Sequence, residues 1–310
     1  MEQLLCIVGA TATGKTRLSV ALAQTLNAEI VSFDSMQVYR GMEIGTAAPT
    51  KEEQGGIRHH MLGVADPHEA YSVDRYVTEA DACVQDILSR GKPVLLVGGT
   101  GLYIDALIAG RHFAPAVAPE LRQSLTARLS EEGLAPLVAE LQRLDAQTAG
   151  EIDLKNPKRV LRALEVFLQT GQPLSAHNRA TRALPPRYRP LWLGLDYADR
   201  QTLWGRIALR TQQMFSAGLP GEVRRLLASG VPPEATSLQA IGYKELLPVL
   251  RGETSEASAQ AEIILHTRQY AKRQKTWFRR NGQVHWLTCD GVSFPEIFSQ
   301  ARQQLSYFDK

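Results

Sequence analysis

A phosphate-binding loop is the clearest chemical feature of the sequence. The segment "GATATGKT", residues 9–16, follows the apolar run "LLCIV" and precedes residues with helical spacing, and it matches the pattern G-x-x-x-x-G-K-[ST] in full. Small residues let backbone N–H groups converge on phosphate oxygens, whereas the structural alternative is a glycine turn that only caps a helix. We predict that the loop binds phosphate oxygens through Gly9, Thr11, Ala12, Thr13, Gly14, Lys15 and Thr16.

Two further polar positions follow predicted strands. Asp34 ends the segment "AEIVSFD", and Thr100 lies in the glycine turn "VGGTG" after a second apolar run. Ligands of doubly wound sheets bind at the carboxyl ends of the strands. Asp34 is therefore predicted to be a Mg²⁺ ligand or a general base, with a turn cap as the alternative. The second turn either lets the backbone approach a ligand beside the Thr100 hydroxyl or is a plain tight turn.

Basic residues are concentrated in two segments. Residues 155–162, "KNPKRVLR", and residues 266–280, "HTRQYAKRQKTWFRR", contain no acid, and the second is interleaved with aromatic residues. One such stripe is commonly a solvated helix face. Two stripes in a chain of net charge +3 favour an RNA partner. The adjacent His59 and His60 lack a third metal ligand at suitable spacing and are expected to be structural or solvent-facing.

Apolar strands alternate with amphipathic helices in the first third of the chain. Residues 4–8 and 28–34 and the segment "KPVLLV" are predicted strands, and helices lie between them. This order is typical of a doubly wound α/β fold with a parallel sheet. Residues 111–189 are predicted to be largely helical, and "LWLGLDY" and "VHWL" return to strand character. We expect a catalytic core of residues 1–110 and 190–310, interrupted by a helical insertion domain of residues 111–189.

Composition excludes several classes of protein. The 310 residues are 44% hydrophobic and 22% charged, as expected for a globular protein. The three cysteines lie far apart, which argues against a disulfide scaffold or a cysteine-based zinc site and favours a reducing cytoplasm. We recognise no signal peptide and no apolar segment long enough to span a membrane.

Several segments together carry a far more specific pattern than the phosphate loop alone. The segments "DSMQVYRGMEIGTA", "VGGTGLY" and "RQKTWFRR", with "DLKNPKRVLRALEV", "GLPGEV" and "LQAIGYKE", resemble the tRNA dimethylallyltransferase (tRNA isopentenyltransferase) family over nearly the whole chain. No C-terminal zinc-finger extension is found, which favours the bacterial type. Gln239 and Lys244 stand where some relatives have arginine, so contacts with tRNA at these positions are uncertain.

The resemblance implies a reaction and a fold. A dimethylallyl group would pass from dimethylallyl diphosphate to N6 of the adenosine 3′-adjacent to a tRNA anticodon, and diphosphate would be released. The core would be a P-loop sheet like that of nucleotide kinases, with Mg²⁺ at Thr16. Physical chemistry agrees, because adenine N6 is a poor nucleophile and an allylic carbon leaves readily once the charge of its diphosphate is neutralised.

The resemblance also implies roles for individual residues. Asp34 would take the N6 proton, Thr100 would hold the reacting amine and the leaving group, and Arg210 would bind the diphosphate. The insertion domain would hold the anticodon stem-loop of a monomeric enzyme. The residues expected to contact tRNA are Asp34, Ser35, Met36, Gln37, Thr100, Arg122, Lys158, Arg159, Val160, Leu161, Arg162, Lys272, Arg273 and Arg279.

Three other functions share some of these features. A kinase of nucleotides or small metabolites would use Asp34 as a metal ligand. A prenyltransferase acting on free adenine nucleotides would not need both basic stripes or the long insertion. A non-enzymatic RNA-binding switch would tolerate the loss of Asp34.

Overall fold

Six parallel strands form the sheet of the computed structural model, which describes residues 1–111, 113–114 and 117–305. The strand order is β3-β2-β4-β1-β5-β6. The strands are β1 (Gln3–Gly9), β2 (Glu29–Ser32), β3 (His59–His60), β4 (Val94–Val97), β5 (Arg189–Asp196) and β6 (His285–Thr288). The predicted α/β fold with a parallel sheet is therefore confirmed.

The helices extend the alternating pattern along the chain. They are α1 (Lys15–Leu26), α2 (Glu43–Thr46), α3 (Val73–Ser89), α4 (Gly101–Ala109), α5 (Pro119–Glu132), α6 (Leu134–Leu144), α7 (Ala146–Glu151), α8 (Pro157–Thr170), α9 (Leu174–Arg182), α10 (Arg200–Ser216), α11 (Leu219–Ala228), α12 (Leu247–Leu250), α13 (Glu256–Phe278) and α14 (Phe294–Leu305). Two 3₁₀ helices cover Ser237–Gln239 and Lys244–Leu246.

Strand β1 is the centre of the sheet. It pairs with β4 on one side and with β5 on the other, so that Leu5 lies opposite both Leu95 and Leu191. Its aliphatic residues are buried, and apolar clusters cover both faces of the sheet. Burial on both faces explains why the strand is a continuous apolar run without alternation.

The chain divides into two compact units. The first comprises Met1–Ile108 and the chain from Arg187 onward, and the second comprises Ala109–Pro186. Helices α5–α9 build the second unit around its own core, in which Leu137, Leu141, Val160 and Leu164 are fully buried. The assignment of one unit to catalysis and the other to tRNA remains a prediction.

Some elements were not expected from the sequence. Helices α4 and α14 were not predicted, and "HH" forms the short edge strand β3. His60 is half-buried there, and its Nε2 lies 2.8 Å from a carboxylate oxygen of Glu29. Among the helices that the structure describes, none is long and apolar enough to cross a membrane.

Candidate active site and RNA-binding surfaces

The carboxyl ends of β1, β2 and β4 bring the predicted site residues to one edge of the sheet. These three strands are neighbours, and their following turns interlock. Gly98 N donates to Ile7 O at 3.3 Å, and Thr100 N donates to Phe33 O at 3.3 Å. The phosphate loop, Asp34 and Thr100 therefore share this edge, where doubly wound sheets bind their ligands.

The phosphate loop has a geometry that only glycine permits at its start. Gly9 has φ +147°, and a Cβ there would lie 2.5 Å from the carbonyl oxygen of Leu195. Gly14, with φ +96°, leads directly into α1. The backbone can therefore curl tightly around an anion at the helix N-terminus.

Lys15 points back into the loop. Its Nζ donates to Gly9 O at 3.0 Å and to Ala10 O at 2.8 Å. Burial and the nearby Arg210 lower the pKa of Lys15 to about 7, and Asp34 partly opposes this shift. An anionic phosphate in the loop would supply the negative charge that this ammonium lacks in the protein alone.

Two arginines of α10 reach the same loop. Arg210 Nη1 donates to Thr11 Oγ1 at 2.9 Å, and its Nη2 lies 3.4 Å from Ala47 O. Burial lowers the pKa of Arg210. Arg206, which was not predicted, donates from Nε to Ala12 O at 2.8 Å. The loop, Lys15 and Arg210 together form a cationic cradle that is suited to a diphosphate.

Asp34 is held by the turn that follows it. Its Oδ1 accepts from Met36 N at 2.9 Å and from Gln37 N at 3.3 Å. The turn-cap alternative therefore describes a real contact, but both bonds go to one carboxylate oxygen. A carboxylate has acceptor capacity at both oxygens, so this capping is compatible with proton transfer at Oδ2.

Thr100 joins the second turn to the residues after Asp34. Its Oγ1 accepts from Ser35 N at 3.1 Å and lies 3.4 Å from Ser35 Oγ. Tyr270 lies beside Thr100, and burial together with the charge of Asp34 raises the pKa of its phenol. A hydroxyl, a carboxylate and a phenol thus cluster where the turns of β2 and β4 meet.

Gln37 is fixed at both ends of its side chain. Its Oε1 accepts from Ser32 Oγ at 3.1 Å, and its Nε2 donates to Thr46 O and Ala47 O at 3.3 and 3.4 Å. Ser35, Met36 and Gln37 are each half-buried. The segment that is expected to meet the target adenosine is therefore ordered by hydrogen bonds within the protein.

Gln274 is a further residue of the site, and it lies outside the phosphate loop and the two turns that predict the site from the sequence. Its side chain is 4% exposed. Its Oε1 accepts from Thr11 N at 2.8 Å, and its Nε2 donates to Gly99 O at 3.0 Å. Gln274 therefore ties the phosphate loop to the second glycine turn from α13. A polar residue within the "RQKTW" segment was its only signal in the sequence.

Thr16 offers a free hydroxyl to a cation. It lies in the first turn of α1, half-buried, and within the described ranges its side chain forms no hydrogen bond. Hydroxyl and carboxylate oxygens are the hard ligands that Mg²⁺ prefers. Thr16 and Asp34 supply such oxygens at this edge, so the residues present fit a divalent metal ion.

One face of α13 is cationic. A pocket of about 420 Å³ is lined by Gln269, Lys272, Arg273, Thr276, Trp277 and Arg280. Arg280 lies over the Trp277 ring, 5.8 Å from its centroid. Arg279 lies outside this pocket and pairs with the buried Asp196, their charged atoms 2.9 Å apart, while the rest of its side chain is exposed. Lys272 and Arg273 are therefore the better placed of the predicted RNA contacts on this helix.

The helical unit carries the other predicted RNA contacts on α5 and α8. Arg122 donates from Nε and Nη2 to the buried carboxylate of Glu165 at 2.8 and 3.0 Å, and Arg162 lies 3.6 Å from the same group. Lys158 and Arg159 are exposed, and Leu161 is half-buried.

Val160 differs from its neighbours on α8. Its side chain is fully buried in the core of the helical unit. A contact of this side chain with tRNA is therefore corrected to a packing role, because its apolar surface is already covered. Its backbone is the only part for which the expected contact remains a prediction.

Comparison with known proteins gives a consistent result. A family model described as IPP transferase matches residues 37–281. The tRNA dimethylallyltransferase of Acetivibrio thermocellus is 41% identical over 310 residues, covering 99% of both chains. That of Symbiobacterium thermophilum is 44% identical over 303 residues, covering 97% of this chain and 93% of the relative.

Solved structures agree with the sequence comparisons. The full-length tRNA isopentenylpyrophosphate transferase from Bacillus halodurans matches with a TM-score of 0.73 and 38% identity, over 99% of this chain and 98% of the other. A eukaryotic dimethylallyltransferase captured acting on tRNA matches with a TM-score of 0.85 and 28% identity, over 99% of this chain and 79% of the other. With the phosphate loop, Asp34 and Thr100 at one sheet edge, these matches show that the chain belongs to the IPP transferase family.

Proposed function

We propose that this protein transfers the dimethylallyl group from dimethylallyl diphosphate to N6 of the adenosine 3′-adjacent to the anticodon in tRNA. The observation that carries the proposal is the placement of a cationic diphosphate cradle beside a carboxylate at one edge of the sheet. Lys15 and Arg210 lie on the cradle side, and Asp34 and Thr100 lie at the adjoining turns. Membership of the family supplies the chemical identity of both substrates.

The diphosphate is the leaving group in this reaction. Backbone N–H groups of the loop, Lys15 and Arg210 hold its oxygens and stabilise the charge that develops as the allylic C–O bond breaks. Mg²⁺ at the Thr16 hydroxyl would add positive charge beside the same oxygens. The electron pair of the broken bond leaves with the diphosphate.

The acceptor side supplies the nucleophile. Adenine N6 forms the new bond to the allylic carbon, and its proton passes to the carboxylate of Asp34. The Oδ1 bonds from Met36 N and Gln37 N fix the orientation of that carboxylate. The Thr100 hydroxyl, beside Ser35, is placed to orient the amine. A single-stranded anticodon loop allows the target base to leave its stack at a cost of only a few kcal/mol.

The tRNA is bound by cations on both units in this proposal. Lys272 and Arg273 on α13 would contact the backbone, together with Arg122, Lys158, Arg159 and Arg162 in the helical unit, and Leu161 would contribute an apolar contact. Phosphate contacts of this kind position RNA without reading its sequence. We further propose that the enzyme acts as a monomer in the cytoplasm, where unmodified tRNA is available.

A transfer assay tests the proposal against the kinase alternative. The protein is incubated with Mg²⁺, labelled dimethylallyl diphosphate and unmodified tRNA, and in parallel with ATP and small acceptors. We expect label in tRNA, loss of transfer when EDTA removes the metal, and no ATP turnover. Turnover of ATP without any label in tRNA would overturn the proposal. Labelling of free adenine nucleotides in preference to tRNA would overturn the assignment of the acceptor.

A further inference from the structure

A buried carboxylate outside the predicted site contacts the segment beside it. Glu222, in the first turn of α11, is 2% exposed. Its Oε2 accepts from Ile44 N at 2.9 Å, and its Oε1 accepts from Gly45 N at 3.0 Å and from the Tyr243 hydroxyl at 2.6 Å. Three donors therefore converge on one carboxylate, and two of them belong to the backbone of α2.

Within the described part of the chain, the Glu222 carboxylate is contacted by hydrogen-bond donors and forms no ion pair. The three hydrogen bonds are therefore the contacts that satisfy its oxygens in the interior. Burial and Glu222 together raise the pKa of Tyr243, which keeps that phenol protonated as a donor. A Cβ on Gly45 would lie 2.4 Å from the Tyr243 ring, so α2 packs directly on this aromatic residue.

The end of α2 supplies acceptors to two residues of the proposed site. Thr46 O and Ala47 O accept from Gln37 Nε2, and Ala47 O also lies 3.4 Å from Arg210 Nη2. Ala47 adopts φ +48°, a strained conformation for alanine, two residues after Gly45, whose amide Glu222 holds. The position of these carbonyl oxygens therefore depends on the anchoring of the amides of Ile44 and Gly45.

We infer that Glu222 is a positioning residue that sets the Gln37 amide and the Arg210 guanidinium through the backbone of α2. It touches neither substrate in this arrangement. The part of this inference that concerns Gln37 rests on the proposed function, because Gln37 is expected to meet the target adenosine. The effect of Glu222 on Arg210 concerns diphosphate binding alone.

Replacement of Glu222 by Gln keeps the size of the side chain and removes one acceptor. A carboxylate accepts at both oxygens, whereas an amide accepts at one end and donates at the other. In either orientation the NH₂ group faces Ile44 N–H or Gly45 N–H, so one partly buried backbone donor loses its partner. Segment 44–47 must shift to relieve this mismatch, and the carbonyl oxygens of Thr46 and Ala47 shift with it.

Glu29→Gln is the matched control. Glu29 is also a buried carboxylate of the first unit, 3% exposed, but it begins β2, at the opposite end of the strand from Asp34. Both variants are checked for folding by circular dichroism. The Kd of inorganic diphosphate with Mg²⁺ is measured by calorimetry, and kcat and KM are measured for dimethylallyl diphosphate and for tRNA.

We expect Glu222→Gln to weaken diphosphate binding and to lower kcat/KM by about tenfold or more, since a misplacement of about 1 Å can cost about 10²-fold. Glu29→Gln is expected to leave both quantities near the wild-type values. Equal values for Glu222→Gln and the wild type would overturn the inference. If Glu222→Gln does not fold, Glu222→Asp, which keeps the charge and shortens the reach, is subjected to the same measurements.

The two readouts separate this inference from the proposed function. If the wild type transfers no prenyl group but Glu222→Gln still weakens diphosphate binding, the proposed function fails and the positioning of Arg210 is supported. If the wild type transfers normally and neither variant changes diphosphate binding, the proposed function stands and the inference fails.

Discussion

Gln274 offers a sharp test of how the site is held together. Its amide bridges Thr11 N and Gly99 O at 2.8 and 3.0 Å from a side chain that is 4% exposed. Replacement by Met keeps an unbranched side chain but leaves both backbone groups without a partner. Each buried unsatisfied group costs about 1–3 kcal/mol, so the free energy of unfolding should fall by about 2–6 kcal/mol.

Replacement of Gln274 by Glu gives a pH-dependent result. The ionised carboxylate still accepts from Thr11 N, but its second oxygen faces the carbonyl oxygen of Gly99, which is also an acceptor. A protonated carboxyl would donate to Gly99 O and mimic the amide. The folded state therefore raises the pKa of this glutamate. The loss of unfolding free energy is absent below the unfolded-state pKa of about 4.3. It grows as the pH rises through the folded-state pKa.

The assay is urea unfolding from pH 4 to pH 8, chosen to bracket that transition. Gln269→Glu on the exposed face of α13 is the control, expected to stay within about 0.5 kcal/mol of the wild type. We expect the variants at Gln274 to be destabilised at pH 7, and the glutamate variant alone to recover on acidification. If Gln274→Met and Gln274→Glu were both as stable as Gln269→Glu at every pH, the bridging role of Gln274 would be refuted.

Three further predictions follow from single residues. Asp34→Ala should abolish prenyl transfer while tRNA affinity in a filter-binding assay stays near the wild-type value; loss of tRNA binding instead would contradict the role as base. Arg159→Ala, on the exposed side of α8, should weaken tRNA binding and reduce the slope of log K against log salt by about 1, and an unchanged slope would exclude a phosphate contact. Arg90, followed by His60, lowers the pKa of Glu29 well below its usual range. The ionised Glu29 therefore stabilises the folded state above the unfolded pKa of about 4.3, and this contribution is lost on acidification. Glu29→Gln should show a shallower acid loss of unfolding free energy, and an acid limb as steep as that of the wild type would contradict this account.

The edge of the sheet could be predicted because it depends on local pattern and on a general rule. The apolar run before Gly9, the glycine loop and the helix that begins at Lys15 follow one another directly in the sequence. Parallel strands then bring the turns that follow them to the same edge of the sheet. Asp34 and Thr100 were therefore assigned to one edge without any knowledge of their contacts. The structure adds that Thr100 accepts from the backbone of Ser35.

The residues that hold this edge together could not be predicted in the same way. Gln274 is separated from Thr11 by 263 positions, and Glu222 from Ile44 by 178. One sequence contains no information on which distant residues are paired. In addition, Gln274 lies within a basic stripe whose exposed cations drew attention to RNA, although its own side chain is buried.

The basic stripes themselves were only partly informative. Neither stripe contains an acid, but acids outside them in the sequence reach their cations in the fold. Asp196 at the end of β5 pairs with Lys275 and Arg279, and the buried Glu165 pairs with Arg162. An acid-free segment therefore predicts the location of a cationic surface better than it predicts which of its cations are unpaired.

Nucleoside analysis tests the central claim most directly. Unmodified tRNA is incubated with the protein, Mg²⁺ and dimethylallyl diphosphate and is then digested. The nucleosides are separated and their masses are measured by mass spectrometry, and oligonucleotide fragments of the same tRNA locate each modification. We predict that the adenosine 3′-adjacent to the anticodon gains a dimethylallyl group on N6 and that diphosphate is released in equal amount. Unchanged nucleosides, or a prenyl group on any other atom, would contradict the account.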